Sequence, residues 1–578
     1  MSSGQLIQAR QFATEGKYAE AMGIYQVLIA DTPDCVAYYL ELSSCLIGLE
    51  QIDEALVVLK QGMHYPDVNL DAACYLQLAH IYLLQKRYDL AAPLFEDAIS
   101  KNARDLKVYI GLSNLYLQTG FPHKAMDILA LAPRELQHLD AYILNTSLAM
   151  FQARQVDEAL KLILDHIKDH PVHRELLSNA LMFASYTLKH DHYYDQLTPY
   201  LSSCYSQPVR RLFNQSQNQR LRVGFVSGDF RMHPVGYFLK SFFPELKKYI
   251  DIYLYNNASL EDYVTQDLKN SAVRQVFIAD LDTQAATEQI LNDQIDILID
   301  LSGHTAGNRL DIFQSRAAPY QLSYLGFPDS TQLSEMDGLI TDDTHVRGAD
   351  LHHYSEKIWY LPNSRFCFSP AISVQNISDA PYGKNHYLTL GNFGNPAKIS
   401  DECANHWAHI LLAIPNARLK LKHQFWEDQP LKKSLLDVFV NMGVEPGRVE
   451  FYGASKYDGY LQSYADIDVM LDTFPFTGGT TTCEALWMGV PVVTMEGPFS
   501  ASRQTASLLR AIDEKQWIAP DLAGLIQIIQ GLVTSPEQLK TFKATIREKI
   551  QKSSLGDGQL FAKNFYHILN DIKQQFLA

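Results

Sequence analysis

Cysteine is scarce in this 578-residue chain: the seven present (Cys35, Cys45, Cys74, Cys204, Cys367, Cys403, Cys483) are widely spread and never stand as Cys-x-x-Cys. A disulfide framework and a zinc site are both unsupported, and a reducing compartment fits. No apolar run approaches the length of a membrane-crossing helix, and Met1 to Gln5 lacks the charged and apolar regions of a signal peptide. The expectation is a cytoplasmic protein with no membrane partner. Positive charge is also short, with 49 Lys and Arg against 65 Asp and Glu and a net charge of −16, which argues against nucleic acid as a partner. Neither Gly-x-Gly-x-x-Gly nor a P-loop motif occurs, so dinucleotide oxidoreductases and P-loop enzymes lose support.

What is present begins with a repeat. Ala21, Ala55, Ala91, Ala125 and Ala159 stand 34, 36, 34 and 34 residues apart, each followed four residues later by a large apolar side chain (Tyr25, Leu59, Phe95, Leu129, Ile163). A small residue where two helices touch and a large one on the same face is the tetratricopeptide pattern. Stacked units form a superhelix able to hold a protein or peptide acceptor, with a spacer or a homo-oligomerisation surface as the open alternative. The repeat domain is placed at 1–205, fading beyond about Ala180, and the polar stretch 206–220 reads as a linker.

From Leu221 short apolar runs alternate with helical patterns, in two series. Strands are expected at Arg222–Val226, Ile252–Tyr255, Gln275–Ile278, Ile295–Ile299, Gln321–Tyr324, Gly338–Ile340 and Ile358–Leu361, then at Tyr387–Leu390, Arg418–Leu421, Val449–Tyr452, Val469–Leu471 and Pro491–Thr494. Two βα series in tandem imply an α/β fold of two Rossmann-like halves, 221–383 and 384–578, facing a cleft.

The stretch Leu471 to Pro491 reads as a strand, a Gly-Gly-Thr-Thr-Thr turn (Gly478, Gly479, Thr480, Thr481, Thr482) and a helix over Glu484 to Met488. Glycines let a ligand approach the backbone and a helix start offers unpaired amides, so a diphosphate suits this loop. A plainer reading makes Thr481 and Glu484 a capping box. Asp466-Ile467-Asp468 has the Asp-x-Asp form of a metal site, but its place before a buried strand favours a capping or flanking role. His233, with Pro234 in a first helical turn, ends the first strand, and Lys398 precedes a helix near Ser400; each faces the cleft. A lysine aimed there would stabilise negative charge on a departing diphosphate. The plainer readings are a structural histidine and a solvated lysine.

The loop with its surroundings resembles the nucleotide-sugar loop of the O-linked N-acetylglucosamine transferases of the bacterial type and the related SPINDLY proteins. His233-Pro234 resembles that family's histidine-proline segment, Gly391 to Ser400 its lysine segment, Tyr324-Leu325-Gly326-Phe327-Pro328 its sugar-contacting loop, and Ile299 to Thr305, with His304, the strand end before it. The resemblance implies a GT-B fold and an inverting, metal-independent transfer of N-acetylglucosamine from UDP to Ser or Thr hydroxyls of intracellular proteins, with no cofactor. It implies His233 and Lys398 as catalytic residues. Pro234, Leu325, Gly326, Asn395, Tyr460, Gly478 to Thr482 and Glu484 would bind substrate, Glu484 at the ribose. Two departures touch the donor pocket: Gly479 replaces a histidine of the animal enzymes, and Tyr460 a histidine that many relatives place opposite the base. A SPINDLY-like fucosyltransferase using GDP-fucose, and a repeat scaffold whose transferase half no longer turns over, are the alternatives.

Overall fold

Helical pairs open the chain, and their turns show why alanine recurs. Ser2–Thr14 pairs with Tyr18–Asp31, Val36–Gly48 with Ile52–Gly62, Asp71–Leu84 with Tyr88–Ser100, and Leu106–Thr119 with Pro122–Ala130; Asp140–Gln152 and Val156–Ile167 follow in the chain as the fifth pair. One residue in each turn takes the left-handed conformation: Gly16, Glu50, Lys86, Gly120 and Arg154, with φ from 58° to 90°. Glycine adopts it freely, whereas a side chain there costs roughly 1–2 kcal/mol. The five repeat alanines are fully buried, and the large residues one turn on are at most 3% exposed. A bulkier side chain at the alanine would push the helices apart. A sixth pair, Arg174–Ala184 and His190–Leu197, continues the architecture where the sequence period fades.

The computed structural model describes residues 2–65, 71–100, 104–171, 173–205, 211–213, 218–258, 261–370, 377–535 and 537–577. Residues 206–210 and 214–217 of the expected linker lie outside the described residues. Contacts divide the chain into two compact units, Met1–Ala149 and Met150–Ala578. The division falls inside the fifth helical pair, so the last repeat helices belong to the unit that holds both sheets. Their side chains are spent on that unit: Tyr186 packs on Phe476 at 4.4 Å, and His190 bonds Asp329 at 2.7 Å. Those contacts explain why the 34-residue pattern is lost there.

The first sheet has seven parallel strands, β1 (Arg222–Ser227), β2 (Asp251–Asn256), β3 (Arg274–Phe277), β4 (Ile297–Asp300), β5 (Tyr320–Tyr324), β6 (Gly338–Thr341) and β7 (Lys357–Tyr360), ordered β3-β2-β1-β4-β5-β6-β7. The second has β8 (Thr389–Asn392), β9 (Arg418–Lys422), β10 (Val449–Tyr452), β11 (Val469–Leu471), β12 (Val492–Met495) and β13 (Ile518–Ala519), ordered β10-β9-β8-β11-β12-β13. The two-residue β13 was not expected from the sequence. Each order reverses once, at β1/β4 and at β8/β11, and such reversals open a crevice at the carboxyl ends of the strands. The helix Gly558–Ile572, near the end of the chain, returns to the first half, where Phe561 and Phe565 pack on Phe242, and Phe565 also on Tyr324. The sheets share one hydrophobic core, so the 383/384 boundary separates strands but not packing.

Candidate functional site

Both crevices supply a loop to one cavity of about 490 Å³. From the first half, the chain leaves β1 and reaches His233, the N-cap of helix Pro234–Lys240. His233 Nδ1 lies 3.4 Å from the Val235 amide and 3.5 Å from Asp229 Oδ2. The ring is partly exposed; desolvation lowers its pKa against the pull of Asp229, so the neutral imidazole is favoured near pH 7.

After β5, Leu325 holds a left-handed φ of 72°, and its carbonyl accepts from the Arg365 guanidinium at 2.6 Å. A Cβ on Gly326 would stand 1.9 Å from the Leu301 carbonyl oxygen, so only glycine fits. A strained leucine over-determined in this way aims a side chain at the cavity. His304 does not join it: fully buried, it bonds Ser178 Oγ at 3.1 Å and the Thr331 carbonyl at 2.9 Å, and burial lowers its pKa to about 4. It is a packing histidine between a repeat helix and the first sheet.

From the second half, Asn395 caps a 3-10 turn, Pro396–Lys398, and Ser400 caps the helix Asp401–Ala413. Lys398 Nζ donates to the Thr477 carbonyl at 3.2 Å and lies 4.3 Å from the Phe476 ring centroid. Burial lowers its pKa to about 8, partly opposed by the Asp472 carboxylate. Around pH 7 it is a cation held at one place with few protein ligands, ready to meet an anion.

The Gly-Gly-Thr-Thr-Thr segment is not a turn before a helix. The helix is Thr480–Trp487, with Gly479 at its N-cap, so the three threonines are its first turn. Its N-cap is a glycine and gives no side-chain cap, and among the described residues no side chain is bonded to the first amides, which are available to an anion. The two glycines differ. Gly478 donates its N–H to Asp472 at 2.8 Å, and a Cβ there would meet Thr482 Oγ1 at 2.3 Å. A Cβ on Gly479 would find only Gln504 Oε1, at 3.9 Å, so this glycine borders open space.

The capping-box reading fails as well. Glu484 is buried and its two oxygens accept from Tyr457 at 2.8 Å and Tyr460 at 3.0 Å, not from a helix amide. Burial raises its pKa to about 7. Tyr460 also rests on Phe393, Tyr457 and Tyr464. Thr482 bonds Thr505 at 3.0 Å.

Of the residues singled out in the sequence, His233, Pro234, Leu325, Gly326, Asn395, Lys398, Gly479 and Thr480 line the cavity. Tyr460, Gly478, Thr481, Thr482 and Glu484 stand outside that lining, in the supporting structure. The lining also includes Asp229, Gln504, Met182 of the helix Arg174–Ala184 and Tyr186 of the turn after it. Asp229 lies four residues before His233, a spacing that could have drawn it in; nothing local marks the others. Asp468 accepts from the Tyr382 and Thr389 amides, a structural use, and among the described residues no three His, Cys, Asp or Glu gather as a metal site. Among the described residues no helix is long and apolar enough to cross a membrane.

A family model described as glycosyl transferase family 41 matches residues 201–377 and 379–565, and a tetratricopeptide-repeat model matches 82–145. The chain is 31% identical over 358 residues to the probable UDP-N-acetylglucosamine-peptide N-acetylglucosaminyltransferase SPINDLY of Petunia hybrida, covering 61% of this chain and 38% of that one. To the UDP-N-acetylglucosamine-peptide N-acetylglucosaminyltransferase of Caenorhabditis elegans it is 22% identical over 483 residues, covering 63% and 41%. It thus spans well under half the length of these curated relatives. Among solved structures, a mutant of the Thermobaculum terrenum O-GlcNAc transferase superposes with a TM-score of 0.79 at 26% identity, over 87% of this chain and 98% of that one.

Proposed function

We propose that this chain, which belongs to glycosyl transferase family 41, transfers N-acetylglucosamine from UDP to Ser or Thr hydroxyls of proteins with inversion at the sugar. One observation carries the reading: the cavity sets a neutral imidazole on one wall against a lysine and an uncapped helix start on the other. The acceptor oxygen attacks the anomeric carbon, the bond to the diphosphate breaks, and the hydroxyl proton leaves to a base. His233 lies on the acceptor side, taking that proton or positioning the sugar. Lys398 and the amides of Thr480 and its neighbours receive the negative charge that builds on the diphosphate. Gly479 lets the diphosphate approach, while Leu325, Gly326, Pro234 and Asn395 shape the sugar pocket. Glu484 and Tyr460 form a polar pair toward the nucleoside side, and the reaction needs no metal because protein groups supply the charge.

The names of the relatives support N-acetylglucosamine as the sugar. A thermal-shift panel of UDP-N-acetylglucosamine, GDP-fucose and other nucleotide sugars tests the donor. Stabilisation by the UDP sugar, with UDP released when a protein acceptor is added, is expected; stabilisation by GDP-fucose alone would overturn the donor. Turnover lost in EDTA and restored by manganese would overturn metal independence. The repeats are proposed to deliver acceptors. A chain starting at Asp140 keeps the helix at the unit boundary whole, and should hydrolyse donor normally while glycosylating proteins poorly.

A further inference from the structure

The turn of the fifth helical pair departs from the others in what its residue touches. Gly16, Glu50, Lys86 and Gly120, at the matching left-handed positions, are exposed or carry no side chain. Arg154 has the same backbone, φ 68°, but its side chain is only 5% exposed. Its Nε donates to the Ile399 carbonyl at 2.8 Å and its Nη2 pairs with Asp401 at 3.0 Å. Repeat geometry alone is met more cheaply by glycine, as at two of the other four turns. The arginine is therefore explained by its partners, which are the residue after Lys398 and the first residue of the helix that follows.

The strand-like segment it grips is short and otherwise held from one side. Ile399 forms a parallel bridge to Phe474, and Ser400 Oγ donates to the Phe474 carbonyl at 2.7 Å. Two residues beyond Phe474 lies Phe476, whose ring receives Lys398 on one side and Tyr186 of the same helical region at 4.4 Å. Arg154 and Tyr186 thus close the last repeat helices around both neighbours of the Lys398 ammonium: the backbone that carries it and the ring on which it rests.

We infer that Arg154 is a positioning residue for Lys398, a clasp by which the final repeat helices fix the lysine at the diphosphate end of the cavity. This rests on the reading of Lys398 given above, so its test includes a measurement independent of turnover. Loss of the clasp lets the 396–400 segment shift and water reach Lys398, which is shielded by burial and faces Asp472 as its charged neighbour. A displacement of about 1 Å is enough to cost up to a hundredfold in rate.

The experiment compares the full chain with Arg154→Gly, which suits the left-handed turn and removes only the side chain, and with Arg154→Lys. Competitive amine labelling across pH, read by mass spectrometry on the Lys398 peptide, reports that amine's titration. Donor turnover is followed as UDP release from UDP-N-acetylglucosamine. In R154G the Lys398 titration should move up toward an ordinary lysine, and kcat should fall at least about tenfold with KM changing less than about twofold. R154K should recover part of both. Labelling that matches the wild type in R154G overturns the clasp, whatever the rate does. A shifted titration with an unchanged rate leaves the clasp standing and refutes the role of Lys398. Should R154G fail to fold, Arg154→Asn, which tolerates the left-handed turn and is too short to keep the Ile399 and Asp401 contacts, takes its place, and an unshifted Lys398 titration there overturns the inference.

Discussion

The two walls of the cavity hold their chemistry with unequal firmness. Lys398 is buried, bonded to the Thr477 carbonyl, set on Phe476 and backed by Arg154 through the next residue. His233 is partly exposed, and both of its contacts are at the long end, 3.4 and 3.5 Å. Under the proposed transfer, one wall is pre-organised for charge that appears in the same place, on the leaving group, and the other admits acceptors of different shape, its histidine tightening only when a substrate closes on it.

The sharpest way to break this comparison is to remove the lysine. Lys398→Ala should lower kcat by about a hundredfold, roughly 3 kcal/mol, with a smaller effect on binding of the intact donor. An unchanged kcat would make the firm wall a packing feature. His233→Ala should cost less on donor hydrolysis, where water is the acceptor and reaches the same place, than on protein glycosylation; equal losses in both would mean that the histidine serves the donor.

The pH profile sharpens the same contrast with a smaller effect. The active lysine is the protonated one, so the rate should fall as pH rises through about 8, the value to which burial lowers Lys398. The active histidine is neutral, and desolvation lowers its pKa, so the acid limb should lie below that of an exposed histidine. A profile flat between pH 7 and 9 would remove Lys398 from the rate-limiting step.

Much of this arrangement was legible in the sequence, because it rests on period. The alanines recur on one helical face, and β1 to β12 fall where apolar runs were expected, with ends displaced by at most two residues, β13 alone being missed. Contacts across the chain were not legible. Three β-branched threonines read as a turn because their helix propensity is low, yet they open the helix Thr480–Trp487, with Thr482 bonded to Thr505. Arg154 reads as an ordinary exposed residue of a repeat turn, because Ile399 and Asp401 lie almost 250 residues away. Met182, on a helix, and Tyr186, in the turn after it, reach the cavity where the repeat pattern had already dissolved.

Glu484, bonded to Tyr457 and Tyr460 outside the cavity lining, gives the smallest expected effect. Its local spacing from Thr481 suggested a cap, but its carboxylate is buried beneath Tyr457 and Tyr460. Desolvation raises its pKa from an ordinary glutamate value to about 7, with the tyrosine bonds opposing. The folded state then holds this proton more tightly than the unfolded chain does. Its contribution is therefore greatest below the unfolded pKa and is lost as pH rises through about 7. Glu484→Gln keeps the shape and cannot titrate, so the variant's melting temperature should gain on the wild type between pH 5 and pH 8, by on the order of a few degrees. Other groups titrate alike in both proteins and cancel in the difference. A difference independent of pH would show that Glu484 keeps one protonation state throughout, and the tyrosine pair would then be holding an ordinary carboxylate.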